Sequence, residues 1–292
     1  MNINLIFGNR KSGTTLLARL IDNDQIYVGS SETNFHHLDK VKSLANHNQF
    51  TDRDVEKYFT YKLHSDEISL NEDIFKKIIK DKVSSVDSYY DFITLHVRAL
   101  VEASNYNVND KTVFFIKNVG IEPKIAFSNF LEAFPESKII SITRDPRFIL
   151  RAIINDRKKH DRQLRLGQKL RYAFEAHRSF KQQKALKENS QIHTLAYEDL
   201  RNNHVQEVKK IFQFIKLPFS TKNEVITIYG EQTNTATHSK NAKKGEVSFS
   251  SPRLYNDISV VDFVIVSFSK FIFVIIGIYI FVKGFLKNKI NL

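Results

Sequence analysis

With 292 residues, 42 % of them hydrophobic and 26 % charged, the chain has material for one large α/β domain with a sizeable buried core. It contains no cysteine, which excludes a disulfide scaffold, a thiolate metal site and a cysteine nucleophile, and fits a reducing compartment. A formal charge of +12 points to an anionic partner (nucleotide, acidic glycan, nucleic acid or lipid surface), with plain lysine-rich composition as the bland alternative.

Residues 1–8 (MNINLIFG) carry no basic n-region and no long apolar stretch, so no signal peptide is expected. Within them, 2–8 is a short apolar run ending in glycine and predicts a buried strand. A loop over 9–13 leads to 14–22, where Leu16, Leu17, Leu20 and Ile21 take helical spacing. Residues 38–108 are polar with apolar residues at helical intervals, predicting helices with little direct chemistry. Strands are predicted at 112–117 (TVFFIK), 138–143 (KIISIT) and 192–197 (IHTLAY), with helices near 125–134 and 205–215, the last stopping before Pro218. Strands alternating with helices imply an α/β fold, a central mostly parallel sheet flanked by helices on both faces. No repeat or linker divides it. One domain over 1–250 is expected, followed by an apolar segment over 251–292.

The loop Gly8-Asn9-Arg10-Lys11-Ser12-Gly13-Thr14-Thr15 has the glycine spacing of a phosphate loop, which turns backbone N–H groups toward an anion at a helix N-terminus. In a nucleoside triphosphate loop a lysine follows the second glycine and the next hydroxyl holds Mg²⁺. Here Thr14 takes that position and the lysine lies earlier, at Lys11, so the anion cradle is kept and the triphosphate arrangement is lost. Residues Arg10 to Thr15 resemble the 5'-phosphosulfate loop of sulfotransferases that use 3'-phosphoadenylyl sulfate (PAPS) and release 3'-phosphoadenosine 5'-phosphate (PAP). A second segment, the strand before Arg144-Asp145-Pro146-Arg147, resembles that family's 3'-phosphate segment, in which an arginine at the strand end and a serine eight residues on hold the phosphate. Arg144 matches, and its planar fork suits phosphate oxygens. The serine position falls on Ala152, with Arg151 as a substitute. Phe134 to Lys138 resembles the turn before that strand, and Ala196-Tyr197-Glu198-Asp199-Leu200 the family's strand-end segment, taken as a strand terminus with a helix cap.

The resemblance implies a P-loop-like sulfotransferase fold, PAPS as cofactor, no metal, and a set of site residues. Lys11 is expected to balance charge on the leaving phosphate, with Arg10, Ser12, Gly13, Thr14 and Thr15 completing the cradle. Glu32, in Ser31-Glu32-Thr33-Asn34-Phe35, is the expected base because related glutamates stand in a similar context. His36, His37 and His96 are its rivals, histidine being the commonest general base near neutral pH. Lys117 resembles a lysine of the glycan-modifying branch that touches acceptor or sulfuryl group; a solvated strand-end lysine is the other reading. Lys243, Lys244 and Gly245 resemble a basic loop that closes over the nucleotide.

Basic residues crowd 144–187, including Arg157-Lys158-Lys159, and are read as solvated helix faces, with an acceptor groove for an anionic glycan as the functional alternative. A nucleic-acid partner is not expected, since interleaved aromatics are missing. Residues 263–282 (FVIVSFSKFIFVIIGIYIFV) have about the span of a bilayer core, broken by Lys270 and followed by Lys283 and Lys287. They are a packed last helix, an interfacial helix or a tail anchor; Asp262 and Lys270 weigh against a clean span. The expectation is therefore a cytoplasmic PAPS-dependent transferase, free or attached to a membrane peripherally or by a tail anchor, acting on a hydroxyl or amine, with a saccharide as acceptor. A Mg²⁺–ATP kinase and a non-catalytic nucleotide- or polyanion-binding protein are the alternatives.

Overall fold

The computed structural model describes residues 2–22, 26–32, 38–47, 49–59, 70–104, 109, 112–120, 122–219, 224–228, 231–232 and 259–290. Five strands, β1 (Asn2–Gly8), β2 (Ile26–Glu32), β3 (Val113–Val119), β4 (Ile139–Thr143) and β5 (Ile192–Ala196), form one sheet in the order β2-β3-β1-β4-β5. Every pairing in it is parallel. β1 is central, and its residues Ile3 to Gly8 are all buried, as a continuous apolar run must be when helices cover both faces. A two-stranded antiparallel ribbon, β6 (Thr227–Ile228) and β7 (Glu231–Gln232), stands apart.

Alternation along the strands sorts the helices into two layers. On one face Ile3, Leu5, Phe7, Phe114, Ile116 and Ile139 pack with α2 (Leu38–Asn46), α3 (Asp52–Tyr58), α4 (Glu72–Lys82), α5 (Tyr89–Ser104) and α6 (Pro123–Ala133). On the other, Ile6, Phe115, Ile140, Ile142 and Leu195 meet α1 (Thr14–Ile21), α9 (Tyr197–Asn202) and α10 (His204–Ile215). The predicted 38–108 helices are thus the cover of one sheet face. α7 (Pro146–Lys159) and α8 (Leu166–Ala185) form a further pair, against which α11 (Val260–Ser267) and α12 (Ser269–Ile290) pack.

Two differences from the predicted elements have physical causes. β3 runs on to Val119, beyond the lysine expected to end it, because Lys117 and Asn118 are both buried rather than solvated. β5 stops at Ala196 and Tyr197 already opens α9, with Glu198 and Asp199 in the first turn, where carboxylates favour the helix dipole.

Candidate functional site

In a parallel sheet covered on both faces, the loops at the carboxyl ends of the strands gather in one place. The register brings Gly8 beside Val119 and Ile142, Thr143 beside Ala196, and Glu32 beside Lys117. The described segments that the sequence singled out, after β1, β3, β4 and β5, therefore end on one side of the sheet.

The first of them is the loop between β1 and α1. Lys11 (φ 63°) and Gly13 (φ 101°) both take the left-handed conformation, which folds the loop into a cradle before Thr14 starts the helix. A Cβ on Gly13 would sit 2.5 Å from Cδ2 of Tyr197, and one on Gly8 2.8 Å from Cγ2 of Ile142, so only glycine lets the loop lie this close to its neighbours. The Ser12 amide donates to the Asn9 carbonyl at 3.0 Å, and the Arg10 amide to Asn9 Oδ1 at 2.7 Å. Arg10 points to solvent and Lys11 is half-buried.

The second segment locks onto the first. Arg144 leaves the end of β4 and its Nη1 donates to the Lys11 carbonyl at 2.8 Å. Asp145 caps α7 by accepting from the Arg147 amide at 2.9 Å, and Pro146 fills the first helical position, where no N–H is needed. The Arg144 guanidinium lies 4.2 Å from the centre of the Tyr197 ring. Burial pulls the guanidinium down from its ordinary value, opposed by Tyr197 and Glu198, yet an arginine stays charged at any physiological pH.

Two lysines point inward. Lys117 is only 1 % exposed, and its Nζ donates to Thr15 Oγ1 at 3.2 Å in the first turn of α1. That burial overturns the solvated strand-end reading. Lys11 Nζ meets Asp156 Oδ1 of α7 at 2.8 Å. Asp156 is held below its usual range: burial pushes it up, but the hydrogen bond and charge of Lys11 pull harder, helped by Arg10.

Ala152 lies on α7 one turn before Asp156, half-buried, and its methyl offers a phosphate nothing. Arg151 precedes it on the same helix. His96 is buried on α5, edge-on to the rings of Phe59 and Phe75 in the core that α2 to α6 form on one sheet face, which removes it from the base candidates. Glu32 ends β2 in register with Lys117, but its side chain lies outside the described residues, as do His36, His37, Lys243, Lys244 and Gly245.

Three residues were missed by sequence reasoning. Tyr197, taken only as a strand end, is the platform for Arg144 and the wall against Gly13. Asp156 is the partner of Lys11, and its signal was its place one helical turn past Ala152. Asn9 is buried in the loop floor.

The fit to a phosphate-bearing nucleotide can be judged from unsatisfied polar atoms. Ser12 Oγ, Asn9 Nδ2 and Arg144 Nε are buried and find no hydrogen-bond partner among the described residues. Such atoms are costly unless a ligand or water meets them. All three are donors, or hydroxyls able to donate, and they cluster on the cradle and the arginine bound to it, as an anion requires.

A model of the sulfotransferase family matches residues 5–221. The chain belongs to the sulfotransferase family. A search of curated proteins gave no match. Among solved structures, the sulfotransferase domain from the Synechococcus PCC 7002 olefin synthase is similar over 91 % of this chain and 94 % of that one, with TM-score 0.55 and 13 % identity. A sulfotransferase from Alicyclobacillus acidocaldarius covers 80 % of this chain and 87 % of its own, with TM-score 0.43 and 11 % identity. Mouse sulfotransferase SULT7A1, complexed with PAP, covers 76 % and 60 %, with TM-score 0.41 and 12 % identity. At such identity the first likeness supports the sulfotransferase fold alone, and the residue roles rest on this chain's own geometry.

Proposed function

We propose that this sulfotransferase moves the sulfuryl group of PAPS to an acceptor hydroxyl or amine on a saccharide. The observation that carries the cofactor is the union of two phosphate segments through one bond, Arg144 Nη1 to the Lys11 carbonyl, with unsatisfied Ser12 and Asn9 donors beneath it. Bound there, PAPS supplies a sulfuryl group whose departure leaves negative charge on a phosphate. The cradle amides of 10–15, with the dipole of α1, hold that phosphate. Lys11 places a cation on the loop, and Lys117 a second one against the first turn of α1. Arg144, braced on Tyr197, takes the 3'-phosphate, and with Ala152 in the serine position, Arg151 is left to add the second contact. Glu32, opposite Lys117 in the sheet register, takes the acceptor proton. Support for the saccharide comes from the glutamate's sequence context and the cationic residues of α7 and α8.

The test is calorimetric titration with PAP in the absence of Mg²⁺, for the parent and for Lys11→Ala and Arg144→Ala. Saturable binding weakened at least tenfold by each substitution supports the cofactor; absent PAP binding beside tight Mg²⁺–ATP binding hands the site to a kinase. Transfer of labelled sulfate from PAPS across a panel of saccharides and simple alcohols, lost in Glu32→Gln, then tests acceptor and base together.

A further inference from the structure

The C-terminal helix pair carries a surface that sulfuryl transfer does not use. α11 and α12 meet at a 69° bend. Their inner faces are taken up by the protein: Ile265 and Val266 join Leu150, Ile154 and Ala173, and the Phe273 ring lies 5.3 Å from Phe174 and 5.8 Å from His177 of α8. Asp262, a charge that argues against a span when read in the sequence, is buried with its Oδ1 2.5 Å from Lys169 Nζ and its Oδ2 3.6 Å from Lys158 Nζ. Its charge is turned inward, and it ties α11 to α7 and α8.

The outer faces are apolar as well. On α12 the outward stripe is Phe271, Val274, Ile275 and Ile278, at the spacing of one helix face and 50–70 % exposed; α11 adds Val260 and Phe263. A helix packed by one face on a globular protein ordinarily turns a polar face to water. A contiguous apolar face of this kind marks an interaction site. Cations border it. Lys270 is exposed one turn before Val274, and Arg178 and Lys181 of α8 stand over an apolar groove of about 490 Å³ along the α8–α12 seam, with Phe273, Val274 and Ile278 in its lining. Arg178 also pairs with Glu122 at 2.9 Å, which leaves Lys181 and Lys270 as the freer charges.

We propose that this face docks the protein onto an anionic bilayer, the helix pair lying in the interface with the Phe271–Ile278 stripe among the acyl chains and Lys270, Lys181 and Arg178 at lipid phosphates. Hydrophobic burial and cationic attraction act together in such docking. A span fits the geometry poorly: among the described residues no single helix is long and apolar enough to cross a membrane, and the bent pair is held to α7 and α8 through Asp262. A second copy of the chain, laid stripe to stripe, would bring like charges together. The proposal is independent of the transfer chemistry, though Lys158, which meets Asp262, lies two residues from the Asp156 that holds Lys11.

The test is co-sedimentation of the full chain with vesicles of phosphatidylcholine alone or with added phosphatidylglycerol. The parent is expected to bind the anionic vesicles at least tenfold more strongly than the neutral ones, and salt to weaken that binding. Lys181→Glu and Lys270→Glu each remove about fivefold or more of the preference. Phe271→Ser/Ile275→Ser/Ile278→Ser abolishes binding to both vesicles with thermal unfolding unchanged, since these side chains are exposed. Four results overturn the proposal: no binding of the parent to anionic vesicles, binding unaffected by the triple substitution, pelleted protein that resists alkaline carbonate extraction (a span), or a dimer in solution that the triple substitution disperses while the parent ignores vesicles.

Discussion

Replacing Asp156 with asparagine keeps the shape at Lys11 and removes the charge opposite it. The pair is partly exposed, with about a third of the Lys11 side chain and a quarter of Asp156 open to solvent, so its worth is that of a surface ion pair, about 0.2–1 kcal/mol. The variant is therefore expected to lose no more than about 1 kcal/mol of stability, a fall in Tm of at most about 2 °C for a chain of this size. If Lys11 must leave Asp156 to meet the phosphate, the same energy is a cost of binding that the substitution removes. PAP affinity then rises, by about 1.4- to 5-fold. Calorimetry of PAP binding to parent and Asp156→Asn measures it directly. A drop in affinity would refute the reasoning, because it would mean that Asp156 aims Lys11 at the phosphate instead of competing for it. The acid limb gives a second check. The Asp156 carboxyl is held below its usual range, so the pair stabilises the fold above the unfolded-state value of about 3.9 and is lost as pH falls through the lower folded value. Between pH 5 and 8 the parent and the variant should differ by a constant amount, and the difference should vanish only in stronger acid.

Three further outcomes follow from the packing. Gly13→Ala meets both a left-handed backbone and the Tyr197 ring, so it should cost about 1–3 kcal/mol in thermal unfolding and abolish measurable PAP binding. Tyr197→Phe keeps the aromatic face under Arg144, whereas Tyr197→Leu removes it; PAP affinity should stay within twofold in the first and fall by about 2- to 30-fold in the second, from a cation–π contact of about 0.5–2 kcal/mol. Asp262→Ala leaves Lys169, itself mostly buried, without its carboxylate and should lower stability by about 1–3 kcal/mol, read as a drop in Tm. The Asp262 carboxyl lies below its usual range, burial being outweighed by Lys169 and Ser259, so this loss is full at neutral pH and shrinks only as the parent itself is protonated in acid.

β1, β3 and β4 were legible because each is a short, nearly continuous apolar run between a loop and a helix, which is how a strand covered on both faces must read. Edge strand β5 instead sets polar His193 and Thr194 between Ile192 and Leu195, and β2, whose sequence turns to Gly-Ser-Ser-Glu, was not among the predicted strands. The order of the sheet was not legible, since neighbours in it are set by helix packing and not by position along the chain. The loop at 8–15 and Arg144 could be read from residue type alone. That one donates to the other depends on β1 and β4 being adjacent, which no spacing discloses. Tyr197 was hidden for the same reason: the pairing of Thr143 with Ala196 sets the residues after them side by side, and only then does an aromatic ring lie under an arginine.

Charged residues inside apolar runs were the hardest to place, because burial and exposure both have physical solutions for them. Lys117 looked like the end of a strand, yet it stays inside with its ammonium on Thr15. Asp262 looked like an obstacle to a buried or membrane-seated helix, yet it lies one turn before Ile265 and Val266 and shares their inward face. That i, i+3, i+4 relation is visible in the sequence and decides the matter, since a charge in phase with the packed face needs a partner inside the protein, here Lys169 and Lys158. Lys270 stands four residues after Val266, a spacing that would share their face in a straight helix. The 69° bend between α11 and α12 breaks that phase and leaves it exposed beside the outer stripe, where a lysine at a lipid surface would keep its ammonium among the head groups. The two charges that break the C-terminal apolar run therefore lie on opposite sides of one arrangement, with Asp262 fastening the helix pair to the enzyme and Lys270 on the side that we propose docks on lipid.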